Sequence, residues 1–192
     1  MDLLEYQGKQ LFARHDVAVP SGKVADEVEH AVAAAEEIGY PCAIKAQVLI
    51  GGRGKAGGIK IANDAGEARE AAEAIIGMDI SGPRGEGPFR VDQVWIEGGS
   101  DIESEYYASV ILDRSEKKTL VMLSTTGGMN VEEIAEKDPE ALVRRHVDPN
   151  GAFGITEATE LVEAAGVPEY EDVSTSVLFG GRHTSIYCET AT

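Results

Sequence analysis

The sequence has few cysteines and few positive charges, and it lacks long apolar runs. Its 192 residues include only Cys42 and Cys188 as cysteines, too few for a disulfide framework. No apolar run approaches the roughly 20 residues that a membrane-spanning helix needs. The acidic N-terminus does not resemble a signal peptide. We therefore expect a cytoplasmic protein with no membrane partner.

The shortage of positive charge argues against nucleic acid and anionic membranes as partners. Seventeen Lys and Arg residues face 34 Asp and Glu residues, so the formal net charge is −17. A surface of this sign repels nucleic acid and anionic membranes. The acids recur along the whole chain and do not form a tail, which is typical of a solvated acidic surface whose self-repulsion is screened by salt. We hypothesise a source with high internal salt.

Alternating helix and strand signals predict an α/β protein with two lobes. Residues 20–100 show the pattern of a small α/β lobe, and strands on either side of Gly98-Gly99 suggest a hinge with a small-molecule cleft beside it. The predicted helices are Leu3–Arg14, Asp26 to Gly39, Asp64 to Ile76, Val131–Arg145 and Thr156–Ala165. Leu4, Leu11 and Phe12 lie on one face of the first helix, and the second and third helices begin with the capping pairs Asp26/Glu29 and Asp64/Glu67. The fourth helix is broken at Asp138-Pro139, and Gly166 ends the fifth. The predicted strands are Pro41–Val48, Gly58–Asn63, Arg90–Glu97, Glu105–Leu112 and Thr119–Thr125.

The most informative stretch is a glycine loop, residues 51–58, between two of these strands. It contains five glycines, and Lys45, Arg53 and Lys55 place three positive charges on or close to it. Glycine backbones can approach an anion without an intervening Cβ atom, and clustered cations favour a polyphosphate ligand. The spacing fits neither a Walker A loop nor the G-x-G-x-x-G fingerprint. A mobile hairpin tip with solubilising charges is the alternative, and the three cations in an acidic chain favour a flap that closes over phosphates.

The same residues resemble a known family. Lys45, Gln47-Val48 and the loop Gly-Gly-Arg-Gly-Lys-Ala-Gly-Gly are similar to the nucleotide-binding segment of the succinyl-CoA synthetase β-subunit family, within the ATP-grasp superfamily. The N-terminal Leu-Glu-Tyr-Gln-Gly-Lys-Gln-Leu-Phe run also resembles that family, as do Asp113-Arg114-Ser115 and the Ser-Thr-Thr-Gly-Gly run from Ser124. The resemblance extends from Met1 to about Gly166.

The resemblance implies a fold and its boundaries. We expect the N-terminal portion of an ATP-grasp fold, with two lobes and a nucleotide cleft between them. One lobe is expected at residues 20–100 and the other at residues 1–19 and 101–170, followed by a divergent tail at 171–192. The family's C-terminal CoA-ligase domain and its Mg²⁺ ligands are expected to lie beyond the matching region, so that this chain is a truncated form.

The resemblance also implies a nucleotide site. It predicts that the Lys45 ammonium meets the α- and β-phosphates, as a point charge can do without fixed geometry. It predicts further that Gly52, Arg53 and Gly54 cover the transferring phosphate, where charge stabilisation matters most. Ionised carboxylates are pure acceptors, which suits an adenine amino group or ribose hydroxyls. The residues implied for base and ribose are Glu97, Ser100 and Glu105.

The function implied is that of the nucleotide-binding β subunit of an ADP-forming succinate–CoA ligase. It would use ATP/ADP, or alternatively GTP/GDP, with Mg²⁺, and would work with an α subunit that binds CoA and bears the phosphohistidine. Succinate and CoA would be substrates of the assembled enzyme, and none of the four histidines of this chain is assigned a catalytic role. The alternatives are another acyl-CoA ligase, such as one acting on malate, and a truncated, non-catalytic nucleotide-binding module.

Overall fold

The computed structural model describes residues 3–15, 17–83, 85–102, 104–127, 136, 138–148 and 153–167. The predicted divergent tail, 171–192, lies outside the described residues. Within the described part, the chain forms two compact units. The first contains residues 3–14 and 19–100, and the second contains residues 15, 17–18 and those from 101 onwards.

The first unit is built on a four-stranded sheet with strand order β1-β6-β2-β3. Each of its three neighbouring pairs is antiparallel. A small hairpin of β4 and β5 lies between β3 and β6 in the chain. The elements are α1 (Glu5–Ala13), β1 (Gly22–Ala25), α2 (Val28–Ile38), β2 (Cys42–Ala46), β3 (Ile59–Ala62), α3 (Ala65–Ile75), β4 (Asp79–Ile80), β5 (Phe89–Arg90) and β6 (Val94–Gly98).

The core of this unit lies between the sheet and helices α2 and α3. Ile44 on β2 and Ile96 on β6 are register partners, and both are fully buried. The two helices present mainly alanines to this layer, and small side chains allow a helix to pack close to a sheet and to its neighbour. The helix residues of the core include Ala31, Ala34, Ala35, Ala68, Ala71, Ala72 and Ile75.

The two predicted helix starts have different outcomes. The start at Asp64 is confirmed, because its side chain accepts a hydrogen bond of 2.8 Å from the Glu67 backbone N–H. The start at Asp26 is wrong, because Glu27 occupies the N-cap position and no side chain caps the helix. Asp26 instead contacts the His30 ring, with 3.2 Å between Oδ1 and Nδ1. For α2 the capping pattern therefore predicted the helix correctly but not the residue at its N-cap position.

The second unit contains a three-stranded antiparallel sheet, β7-β8-β9, packed against one helix. The buried side chains Val121 and Leu123 of the sheet contact Leu161 and Val162 of the helix. Gly166 ends the helix in the left-handed conformation, as predicted. The elements are β7 (Tyr107–Asp113), β8 (Lys118–Ser124), a 3₁₀ turn (Pro139–Ala141), β9 (Val143–Val147) and α4 (Ile155–Ala165).

The predicted helix Val131–Arg145 is wrong in its C-terminal part, although Glu136, the one described residue before Asp138-Pro139, is helical. Residues 131–135 and 137 lie outside the described residues, but 143–147 form β9, which pairs with β8. Val143, Arg145 and Val147 are half-buried, and the two residues between them are exposed. This alternation has the period of a strand, and it was hidden by the apolar spacing before the Asp138-Pro139 break.

No helix in the described part of the chain is both long and apolar enough to cross a bilayer.

Candidate functional site

The candidate site lies on the face of the first sheet opposite the alanine-rich core. Side chains alternate along a strand, so Lys45 points away from the side occupied by Ile44. Trp95 is the register partner of Lys45 on β6, and Glu97 follows two residues later on the same face. Helix α1 lies against this face, with the Tyr6 ring stacked on the Trp95 ring at a centroid distance of 6.2 Å.

Five charged side chains meet between α1, the sheet and the glycine loop. We call Glu5, Lys9, Lys45, Arg53 and Glu97 the ionic cluster. Its side chains are only 6 to 10% exposed to solvent. Residues of these types are almost never buried unless they are paired.

Four members of the ionic cluster form a closed ring of alternating charge. The Lys45 ammonium lies 2.7 Å from Glu97 Oε1 and 3.2 Å from Glu5 Oε1. The Lys9 ammonium lies 3.1 Å from Glu5 Oε1 and also donates a hydrogen bond to Glu97 Oε2. Each lysine thus bridges both carboxylates, and each carboxylate bridges both lysines.

Arg53 connects the glycine loop to this ring. Its Nη1 lies 2.8 Å from Glu5 Oε2 and donates a hydrogen bond of 2.9 Å to the Ala46 carbonyl. With Arg53 included, three cations and two carboxylates meet in the ionic cluster. Clustered cations of these types favour a phosphate ligand.

Two further side chains hold the ionic cluster in place. Trp95 Nε1 donates a hydrogen bond of 2.8 Å to Glu97 Oε2. Gln47 Oε1 accepts a bond of 3.2 Å from the Tyr6 backbone N–H, and Gln47 Nε2 donates to the Lys45 carbonyl. The Gln47 bond connects α1 to the end of β2, and the Tyr6–Trp95 stack and the Lys9–Glu97 bond connect it to β6, so the geometry of the charges depends on where α1 docks.

The surroundings keep both carboxylates ionised. Burial alone would raise the pKa of Glu5, but Lys45, Arg53 and Lys9 outweigh it and lower the pKa from its ordinary value of 4.5 to about 2. For Glu97, burial is again opposed by Lys45 and Lys9, and the net effect lowers its pKa. At neutral pH both carboxylates can therefore accept hydrogen bonds but cannot donate them.

The lowered pKa of Glu5 predicts a specific acid sensitivity. Because the pKa is lower in the folded than in the unfolded chain, the ionised carboxylate stabilises the fold fully above about pH 4.5, and this contribution is lost as the pH falls through about 2. The lost contribution is on the order of 3 kcal/mol. Urea unfolding between pH 6 and 2 is expected to give a shallower pH dependence for Glu5→Gln than for the original chain. Equal slopes would contradict this assignment.

The glycine loop has defined turns in this structure. The Ala56 N–H donates to the Gly52 carbonyl at 3.2 Å, and the Gly57 N–H donates to the Gly54 carbonyl at 3.1 Å. Gly52 has a φ angle of +73°, in the region that favours glycine. A Cβ atom on Gly58 would lie 2.7 Å from Ile80 Cδ1, so a larger residue where the loop returns to β3 would displace the buried Ile80 side chain. The prediction that the loop joins two strands is confirmed.

The predicted site residues fall into two groups. Lys45, Arg53 and Glu97 meet in the ionic cluster, with Gly52 and Gly54 on either side of Arg53 in the loop. Ser100 is exposed at the end of the first unit. Glu105 belongs to the second unit, where its carbonyl accepts a hydrogen bond of 2.9 Å from the Gly127 N–H.

Sequence reasoning missed the contribution of α1. It placed residues 1–19 with the second lobe and put Leu11 on one face of the helix with Leu4 and Phe12, whereas α1 contacts the first unit and Leu11 is 43% exposed. The helix instead buries the charged side chains of Glu5 and Lys9. The available signal was the spacing of Glu5 and Lys9, which puts opposite charges one helical turn apart. Nothing local indicated that the pair was buried.

Among the described residues, no group of three or more His, Cys, Asp or Glu side chains is arranged to hold a metal ion.

Comparison with known proteins identifies the family. A family model for the ATP-grasp domain matches residues 2–180. The chain belongs to the ATP-grasp family. The ATP-grasp fold is also seen in a structural neighbour, a dinucleotide-forming acetyl-coenzyme A synthetase 1 from Ca. Korarchaeum cryptofilum. That match has a TM-score of 0.63 at 20% identity and covers 96% of this chain and 72% of the neighbour.

Two curated relatives confirm the resemblance found in the glycine loop. The succinate–CoA ligase (ADP-forming) subunit beta of Haloarcula marismortui is 51% identical over 169 residues, which cover 87% of this ATP-grasp chain. The succinate–CoA ligase (GDP-forming) subunit beta of Thermus thermophilus is 47% identical over 167 residues, again 87% of the chain. The chain spans 42% of the length of the first relative and 43% of the second.

Proposed function

We propose that this chain supplies the nucleotide site of an ADP-forming succinate–CoA ligase, as part of its β subunit. The observation that carries the proposal is the meeting of Lys45, Arg53 and Glu97 in one buried cluster. These residues come from a strand, a loop and a second strand, and the family resemblance implies each of them as a site residue. The similarity to β subunits over 87% of the chain supports the same function.

The chemistry of the ionic cluster suits a nucleoside triphosphate. Lys45 and Arg53 provide charge for phosphate oxygens, and the arginine can bind two oxygens at once. Glu97, ionised and held by Trp95, can accept hydrogen bonds from the sugar or base but repels phosphate, so it favours one orientation of the nucleotide. Gly52 and Gly54 give the Arg53 loop the backbone freedom to cover the phosphates.

The proposed reaction interconverts succinate, CoA and ATP with succinyl-CoA, ADP and phosphate. Phosphate would pass between the nucleotide held here and a histidine of an α subunit that binds CoA. Mg²⁺ would accompany the nucleotide and reduce its charge, and we assign it no ligand among the described residues. Ser100 and Glu105 remain proposed ribose and base contacts.

Two other functions compete with this one. A ligase for another acid, such as malate, would use the same nucleotide site, since the site contains nothing that selects the acid. A nucleotide-binding module without ligase activity is the second alternative. Assays of succinate-, malate- and CoA-dependent ADP formation, with an α subunit added, separate the three. The same assays should also use guanine nucleotides, because one of the relatives is named as a GDP-forming ligase.

The direct test is calorimetric titration with ATP and Mg²⁺ at high salt, which screens the net charge of −17. Arg53→Ala is expected to weaken ATP binding about tenfold or more and to leave adenosine binding unchanged, because a charge-assisted contact to phosphate contributes about 1.5–3 kcal/mol. Arg69→Ala is the matched control, since Arg69 joins α3 to Glu29 at the surface. Equal losses for ATP and adenosine would show that Arg53 does not meet the phosphates.

A further inference from the structure

Glu5 is the member of the ionic cluster that contacts all three cations. Its Oε1 lies 3.2 Å from the Lys45 ammonium and 3.1 Å from the Lys9 ammonium. Its Oε2 lies 2.8 Å from Arg53 Nη1. One carboxylate therefore bridges the strand cation and the loop cation that the proposed function assigns to phosphate.

Glu97 has a different set of partners. It contacts Lys45 and Lys9 and accepts a hydrogen bond from the Trp95 indole. If Lys45 turned towards another anion, Glu97 would keep two of these partners. Two of the three contacts of Glu97 therefore survive the binding of a phosphate to Lys45.

The contacts of Glu5 do not survive in the same way. An anion that binds Lys45 and Arg53 together must approach the two groups that Glu5 now holds. Two anions at the same cations repel each other, and the repulsion is strong where water is largely excluded. Lys9 lies one helical turn from Glu5 and can retain its carboxylate as a partner after the exchange.

We propose that Glu5 is a further residue of the nucleotide site: an internal anion that holds Lys45 and Arg53 until phosphate oxygens replace it. The inference rests on the proposed function. It gives Glu5 two effects, since the carboxylate keeps the two cations in position in the empty site and competes with the ligand. It also gives α1 a role in setting nucleotide affinity.

The test measures the affinity of Glu5→Gln for three probes: ATP with Mg²⁺, inorganic pyrophosphate and adenosine. Glutamine keeps the size of the side chain but removes its charge. We expect ATP and pyrophosphate to bind about tenfold more tightly, which corresponds to the loss of one charge-assisted contact to the competing carboxylate. Adenosine binding is expected to stay unchanged. Glu29→Gln is the matched control, because Glu29 pairs with Arg69 at the surface.

The outcomes separate the inference from the proposed function. If the original chain binds neither ATP nor pyrophosphate, the proposed function fails and the inference falls with it. If the original chain binds ATP and Glu5→Gln binds it equally or more weakly, the inference alone is overturned. If Glu5→Gln does not fold, Glu5→Asp replaces it. The shorter carboxylate keeps the charge but withdraws from Arg53, so it too is expected to tighten pyrophosphate binding, and unchanged affinity would overturn the inference.

Discussion

Replacing Lys45 by methionine is expected to lower the free energy of unfolding by about 3–5 kcal/mol, because each of two buried carboxylates loses one of its cationic partners. Lys45 is 6% exposed and lies within 3.2 Å of both Glu5 and Glu97. Methionine has similar length and flexibility, so the substitution removes the charge with little change in packing. The expected loss is a substantial fraction of the roughly 5–15 kcal/mol by which an ordinary domain is stable.

Urea unfolding followed by circular dichroism measures this loss, with Lys60→Met as the matched control. Lys60 lies on the neighbouring strand β3 but is exposed, so its substitution is expected to change stability by less than about 0.5 kcal/mol. A loss for Lys45→Met as small as that of the control would show that the ionic cluster contributes nothing to the fold. Adding Glu97→Gln to Lys45→Met is expected to recover part of the loss, because it removes a buried carboxylate that has lost one of its two lysine partners.

The stability effect also changes how Lys45 must be tested as a binding residue. A loss of nucleotide affinity in Lys45→Met has two sources, the missing phosphate contact and a larger unfolded fraction. The two are separable only when affinity is measured under conditions in which the variant is folded. Lys45 is therefore both part of the fold and part of the proposed site.

The residues predicted from the sequence were those in local patterns. The glycine loop, the strands around it and the Asp64 cap each depend on residues close together in the chain. Lys45, Arg53 and Glu97 were identified by the family resemblance, and the structure brings them together. Local patterns and motif matches therefore predicted the site residues that lie on the sheet and on the glycine loop.

The part that could not be predicted depends on long-range contacts. Lys9 and Glu97 are 88 positions apart, and a lysine on a short helix normally points to solvent. Its burial follows from the docking of α1 on the sheet face, through the Tyr6–Trp95 stack and the Gln47 hydrogen bond. Neither contact has a signature within α1. The same limit applies to β9, whose strand conformation is fixed by pairing with β8.

The second large effect is expected on the other face of the sheet. Ile44 precedes Lys45 in β2, is fully buried, and pairs in register with the equally buried Ile96. Ile44→Ala is expected to lower the free energy of unfolding by about 2–5 kcal/mol, because it removes apolar contacts and leaves a cavity beneath α2 and α3. Ile61→Ala is the control, since Ile61 is 59% exposed on the edge strand β3.

Because Ile44 and Lys45 point to opposite faces of β2, Ile44→Ala also tests whether the apolar core and the ionic cluster are independent of each other. The Ile44 side chain points away from the ionic cluster, so folded Ile44→Ala is expected to bind ATP with unchanged affinity, whereas Lys45→Met loses both affinity and stability. Calorimetry on the folded variant checks this. A weakened ATP affinity in Ile44→Ala would show that the core sets the position of the cluster, because core strain reaches Lys45 through the strand that carries both residues.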